Sequence, residues 1–185
     1  MTEVSARTSK LPEAVEDFVL HWGDLGGQWS VNRSVSQIHA LLYLSEQPLT
    51  AEDIAATLGL ARSNVSNSIK ELLNWNLIRR APIRGDRRDH FEAETDVWEI
   101  AARIATGRKQ REIDPALAAL ESCAAKAESD ARISPVVRKR LKAMHDFTAS
   151  VDRWYSQMLG LSRSKREMLV KLGSKIAAFI PGGKD

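Results

Sequence analysis

Six side chains between Arg62 and Lys70 have the chemistry to read the edges of base pairs. Arg62, Ser63, Asn64, Ser66, Asn67 and Lys70 supply cations, hydroxyls and carboxamides, with no acid among them. A carboxamide donates and accepts at once, as the groove edge of adenine requires, and Arg or Lys matches guanine. A second group follows in a turn, where Arg84, Arg87 and Arg88 surround Gly85 and Asp86. Five of the ten residues from Arg79 to Arg88 are arginine, against one acid. Cations so placed hold phosphates or enter the minor groove. Asp86 is expected to orient a neighbouring arginine, because a free carboxylate beside phosphate is repelled.

Aromatic rings are the second source of chemistry. The 185 residues include five tryptophans, against four phenylalanines and two tyrosines. Indole faces are the best cation–π partners, and boxes of rings recognise quaternary ammonium groups. Trp22, Trp29, Trp98, Trp154 and Tyr155 all lie outside the two cationic stretches. Helical spacing suits them equally for a core or a dimer seam, and the residues alone leave both open. Trp75 is expected to pack the end of its helix. His21, His39, His90 and His145 share no metal-ligand spacing with one another or with Cys123. No metal and no cofactor is expected. A reactive thiol needs cationic neighbours and exposure. Cys123, in an alanine-rich helix with Lys126 one turn away, is expected to be a buried spectator. No nucleophile elbow, phosphate loop or paired-acid motif occurs, so no catalysis is expected.

The elements that must position the cationic groups are legible. Thr50 and Asp53 open a short helix whose apolar side is Ile54, Ala55 and Leu58, and Gly59 ends it in the left-handed conformation. A second helix runs from Arg62 to Asn74 with Val65, Ile69, Leu72 and Leu73 turned inward. Asn76 suits the left-handed position that stops it. Leu77 to Ile83 and His90 to Thr95 are two strands flanking the basic turn. Helix, glycine turn, helix and basic hairpin make a winged helix-turn-helix. The second helix is expected in the major groove of double-stranded DNA, with the wing on the backbone.

Several stretches resemble the GbsR branch of the MarR regulators: Leu42-Tyr43-Leu44-Ser45, Asn64-Val65-Ser66, Leu77-Ile78-Arg79-Arg80, Gly85-Asp86-Arg87-Arg88-Asp89-His90-Phe91, Glu92-Ala93-Glu94-Thr95-Asp96 and Arg111-Glu112-Ile113-Asp114-Pro115-Ala116-Leu117. The resemblance covers about Val15 to Met158, and the wing with the Glu-Ala-Glu-Thr-Asp run is its most specific part. It implies a homodimeric transcription factor, a repressor on a DNA operator, with a small quaternary ammonium effector such as choline or glycine betaine. One departure is Ala61, where a recognition helix usually has a side-chain cap.

The remainder fits a mainly α protein, its two-stranded wing embedded in a helical dimerisation scaffold. Pro12 starts a helix carrying Val15, Phe18, Val19, Trp22 and Leu25, which Gly26-Gly27 is expected to end. Ser34 with Gln37 reads as a capping box. Asp96 caps the next helix after the wing, Asp114-Pro115 starts another, and Ser134-Pro135 a longer one. In the longest, Val137, Leu141, Met144, Thr148, Val151, Tyr155 and Met158 form a seam that needs a partner helix. Gly160 closes it, and Ser164 with Glu167 caps a last helix holding Leu169, Leu172, Ile176 and Phe179. The expected division is a flexible tail at 1–10, an N-terminal helix and connection at 11–33, the DNA-binding domain at 34–96, a dimerisation and ligand region at 97–180, and a tail at 181–185.

Formal net charge is +3 with mixed signs, so basicity matters only where it clusters. A single cysteine permits no internal disulfide. No apolar run approaches the roughly 20 residues of a bilayer span. Met1 to Lys10 lacks a signal peptide's apolar core. A cytoplasmic protein without a membrane partner is expected. Winged helices also dock proteins without touching nucleic acid. The basic wing argues against that alternative, since docking surfaces are depleted of charge at their centres. A regulator that senses oxidants through Cys123 is the other alternative.

Overall fold

The computed structural model describes residues 11–173 and 175, which form two compact units divided between Ile104 and Ala105. The first unit opens with α1 (Glu13–Gln28) and α2 (Arg33–Leu44). Helix α1 runs through Gly26-Gly27 and ends at Trp29, two residues beyond the expected stop. The reason is packing. A Cβ on Gly26 would lie 1.9 Å from Ser36 Oγ, and one on Gly23 would lie 2.5 Å from Gln37 Cγ. These glycines bring α1 against α2; they do not break the helix. Helix α2 also begins earlier than the expected Ser34–Gln37 box. Asn32 caps it, its Oδ1 accepting from Ser34 N at 2.9 Å, while Gln37 lies beside Gly23.

The next elements follow their sequence signals closely. Strand β1 (Leu49–Thr50) leads into α3 (Ala51–Leu58). Thr50 Oγ1 accepts from Asp53 N at 3.1 Å, and Asp53 Oδ2 accepts from Thr50 N at 3.0 Å. Both donors of the first turn are thereby satisfied. Gly59 takes φ +64° and closes α3. Helix α4 (Arg62–Asn74) starts at Ala61 with no side-chain cap and stops before Asn76 at φ +55°.

Strands β2 (Ile78–Arg80) and β3 (His90–Ala93) make the wing hairpin, shorter than the sequence suggests. Strand β1 adds a third, unexpected member, giving the antiparallel order β1-β3-β2 with Leu49 opposite Phe91. Beneath them Ile38, Ile54, Val65 and Leu72 are fully enclosed. Val19, Leu41, Ile69, Leu77, Ile78, Phe91 and Ile100 complete that core. Helix α5 (Val97–Arg108) starts where Asp96 Oδ1 accepts from Trp98 N at 2.9 Å, as its sequence predicts.

In the second unit a π-helical turn, Lys109–Ile113, leads into α6 (Asp114–Ser129). Asp114 is therefore not a cap. It meets Lys109 Nζ at 2.5 Å, and Asp152 meets the same ammonium at 2.6 Å. The two carboxylates hold the Lys109 ammonium's pKa above its ordinary value, Asp114 contributing most. Ser134 Oγ accepts from Val137 N at 3.4 Å at the start of α7 (Pro135–Gly160). Helix α8 (Arg163–Leu172) is flanked by Ser162, and Glu167 pairs with Arg163 at 2.7 Å, so the expected Ser164–Glu167 cap is not formed. Cys123 is exposed, against expectation; the covered positions of α6 are Leu117, Leu120, Ala124 and Ala127, and Cys123 stands at the edge of that stripe. Ile176, Phe179 and the expected tails lie outside the described residues. Among the described residues no helix is long and apolar enough to cross a membrane.

Candidate nucleic-acid interface and an aromatic cavity

Helix α4 presents two different faces. Val65, Ser68, Ile69 and Leu72 are buried, while Arg62, Ser63, Ser66, Asn67 and Lys70 are exposed. Among the described residues Asn67 and Lys70 have no polar partner, so their groups are available to a ligand. Arg62 lies 3.4 Å from Glu52, a solvent-exposed pair of small energetic weight. Asn64 differs from the rest of the expected set. It is half-buried, and its Oδ1 accepts from Ser34 Oγ at 2.8 Å.

The wing is also divided in role. Arg88 grips Asp86 through Nε at 3.0 Å and Nη2 at 2.5 Å, and Asp86 Oδ1 accepts from Arg88 N at 2.9 Å. These bonds hold the Asp86 carboxyl well below the usual carboxylate range. Asp86 thus orients a neighbouring arginine, as its position in the turn predicts. Arg80 is 3.6 Å from Asp89 and Arg79 is 2.6 Å from Glu92. Arg84 and Arg87 are exposed and, among the described residues, have no acidic partner. Gly85 at φ +89° turns the loop so that these two flank it. Ser66 and Lys70 of α4 share a cleft with Arg80, Arg88 and Asp89 of the wing and Glu52 of α3.

Residues 31–89 match the MarR family model. The matched segment runs from the connection before α2 through the wing turn. Over 113 residues the chain is 24% identical to the HTH-type transcriptional repressor GbsR of Bacillus subtilis, covering 61% of each chain. Over 89 residues it is 19% identical to the putative HTH-type transcriptional regulator YvaV of the same organism. That match spans 48% of this chain and 50% of the relative. The chain thus spans about half to three fifths of the length of these curated relatives. A crystal structure of a transcriptional regulator superposes with a TM-score of 0.58 at 21% identity, covering 80% of this chain and 96% of its own. This likeness establishes the winged fold within a mainly helical protein.

A cavity of about 350 Å³ opens elsewhere in the first unit. Phe18, Trp22 and Trp29 of α1 and its cap, His39 and Tyr43 of α2, and Ile100 and Ile104 of α5 are among its walls. Phe18 stacks on Trp22 at 5.5 Å, and Trp22 meets Trp29 edge to face at 6.5 Å. Trp29 is 54% exposed and forms the rim. Burial lowers the His39 pKa from 6.5 to about 4, so its ring is neutral near pH 7, and its buried Nε2 has no hydrogen-bond partner. The cavity wall therefore has no charged group.

Of the five expected ligand residues, Trp22 and Trp29 meet here. Trp98 sits half-buried on α5 outside this wall. Trp154 and Tyr155 belong to the second unit, where their rings meet edge to face at 6.1 Å. Phe18, His39 and Tyr43 were not expected. Their signal was the aromatic residue repeated at four-residue spacing on each helix, Phe18 with Trp22 and His39 with Tyr43. Trp75 packs against the core, as expected. Among the described residues no His, Cys, Asp and Glu cluster could hold a metal.

Proposed function

We propose that this chain is a transcriptional repressor that binds double-stranded DNA as a two-fold homodimer on an inverted repeat and acts in the cytoplasm. The observation that carries the reading is the shared exposure of Asn67 and Lys70 on α4 with Arg84 and Arg87 on the wing, all unpaired. Base reading falls to Arg62, Ser63, Ser66 and Asn67, and phosphate contact to Lys70, Arg84 and Arg87. In this division residues 34–96 bind DNA, while 97–180 dimerise.

The dimer reading rests on the second unit's surface. Val136, Met144, Phe147 and Trp154 on α7, and Met168 and Val170 on α8, are all more than half exposed. Neither helix contains a single buried residue. Apolar stripes of that length are stable in water only when a second surface covers them. A second copy supplies one, and two-fold symmetry then sets two recognition helices about one turn of DNA apart or a multiple of it.

The effector proposed is choline or a related quaternary ammonium compound, held in the aromatic cavity of the first unit. Four rings and an uncharged imidazole suit a soft cation, and no fixed cation repels it. This places Trp22 and Trp29 at the site and moves its remaining walls to Phe18, His39 and Tyr43.

Selection of duplexes from a random pool tests the core of this reading. The expected outcome is an inverted repeat bound by two protomers per duplex. Asn67→Ala should relax preference at one step of each half-site by about 1–3 kcal/mol. Recovery of no sequence preference and no duplex affinity would leave a protein-docking module as the better account.

A further inference from the structure

Ser34, at the start of α2, meets the first two turns of α4. Its hydroxyl is 2.7 Å from Asn32 Oδ1, 2.8 Å from Asn64 Oδ1 and 3.2 Å from Ser68 Oγ. A hydroxyl has one proton. Two carboxamide oxygens therefore compete for it, and a bond to one leaves the other without that donor. Ser34 and Ser68 are buried, so water does not reach the shared hydroxyl itself. Asn32 keeps a second bond in either case, from Ser34 N at 2.9 Å. Asn64 has no such reserve in this network.

We propose that the Ser34 hydroxyl decides whether Asn64 is available to read a base, and that the α1–α2 connection biases that choice. The inference rests on the DNA-binding reading above. When the proton goes to Asn64 Oδ1, the carboxamide is held against α2 and withdrawn from the groove. When it goes to Asn32, the Asn64 side chain turns outward beside Asn67 on the exposed face of α4. Ser34 and Asn32 are thus positioning residues for Asn64.

The connection between cavity and switch is short. Trp29 at the rim and Asn32 are separated by Ser30 and Val31 alone. Ser30 has φ +60°, a conformation that favours glycine, and Val31 N is tied to Gly26 O at 2.9 Å. Little freedom remains to absorb a shift of Trp29 before it reaches Asn32. His39, on the cavity wall, lies on the same helix as Ser34. A ligand that draws Trp29 inward separates Asn32 from Ser34, gives the proton to Asn64, and weakens DNA binding. Only a ligand that prefers one arrangement can shift the pair in this way.

The test is a set of double-mutant cycles on full-length protein, read as affinity for the selected duplex. Ser34→Ala frees Asn64 and should tighten binding about fivefold, the worth of one neutral hydrogen bond. Asn32→Gly, which keeps a tolerated cap, should loosen binding because the hydroxyl then serves Asn64 alone. Both effects should vanish in an Asn64→Ala background, and both should concentrate at one base step. Effects of the same sign, or effects that persist without Asn64, would overturn the proposal, since a merely structural role gives that result. A second arm adds choline: wild type should lose affinity for the duplex, and Ser34→Ala should bind choline equally by calorimetry yet keep its affinity. A full choline response in Ser34→Ala overturns the coupling. Absence of choline heat in wild type refutes the effector reading alone, because the cycles contain no ligand. If no duplex binds at all, the DNA reading fails by itself. The side-chain amide signals of Asn64 in 15N-labelled protein then decide the switch, moving in opposite directions in the two variants if it exists and in the same direction if it does not.

Discussion

The two units of this chain solve the problem of burying apolar surface in opposite ways. The first encloses Ile38, Ile54, Val65 and Leu72 among helices α1 to α4 and the small sheet. The second, of comparable length, has one buried apolar residue among its described positions, Ala127. Its longest helix shows Phe147 at 67% exposure and Trp154 at 57%. A unit with its own core can hold a recognition surface in fixed geometry. A unit without one depends on what it docks against. In the proposed reading, specificity falls to the first and assembly to the second.

The largest effect expected from breaking this contrast lies in the second unit. Replacing Phe147 and Trp154 by aspartate puts charge on the exposed stripe of α7 and should dissociate the dimer, as followed by sedimentation. A stable monomer with undiminished DNA affinity would end the contrast. In the first unit, Ile54→Ala empties a fully enclosed site and should cost about 2–5 kcal/mol in denaturant unfolding. Phe147→Ala, on the exposed stripe, should leave that transition in place and change only its dependence on protein concentration.

A pH measurement sharpens the same contrast. The folded pKa of His39 is about 4 against an ordinary 6.5, so the folded state favours the neutral ring. Its stability is full above the unfolded pKa. It is lost as pH falls from about 6.5 toward 4, because the unfolded chain takes up a proton the folded chain refuses. The loss attributable to this ring is roughly 3 kcal/mol, following 1.36 kcal/mol per pKa unit. His39→Gln should flatten that part of the profile in denaturant midpoints taken between pH 7.5 and 4.5.

The smallest effects come from a pair of adjacent glycines. Gly26→Ala meets Ser36 Oγ at 1.9 Å and should destabilise the first unit by about 1–3 kcal/mol. Gly27→Ala has nothing within 4 Å of its new methyl and should stabilise α1 by up to about 1 kcal/mol. Thermal unfolding of the two variants should shift in opposite directions.

These glycines also show what the sequence could and could not reveal. Helix α4 and its flanks were legible residue by residue, because Gly59, Asn76 and the Val65–Ile69–Leu72 stripe are all local signals. The wing was legible for the same reason, with Asp86 and Arg88 two positions apart. The end of α1 was not. Gly26-Gly27 looks like a stop until Ser36, on another helix, explains why no Cβ fits. Asn64 looked like a free reader because its partner Ser34 is 30 residues away. The cavity was missed in part because Phe18 and Tyr43 belong to stripes that look like core. Strand β1, at two residues, is too short to leave a pattern at all. What is set by neighbours in sequence could be read, and what is set by neighbours in space could not.

The central claim is that the exposed face of α4 and the wing form a DNA-binding surface. It is tested most directly by duplex affinity measured against salt concentration. Three unpaired cations per protomer, Lys70, Arg84 and Arg87, imply about six phosphate contacts for a dimer. The account predicts a linear log–log plot with a slope of about −5, reduced by roughly two when Arg87→Ala removes one contact from each protomer. Affinity that does not change with salt, or a slope untouched by Arg87→Ala, would contradict it.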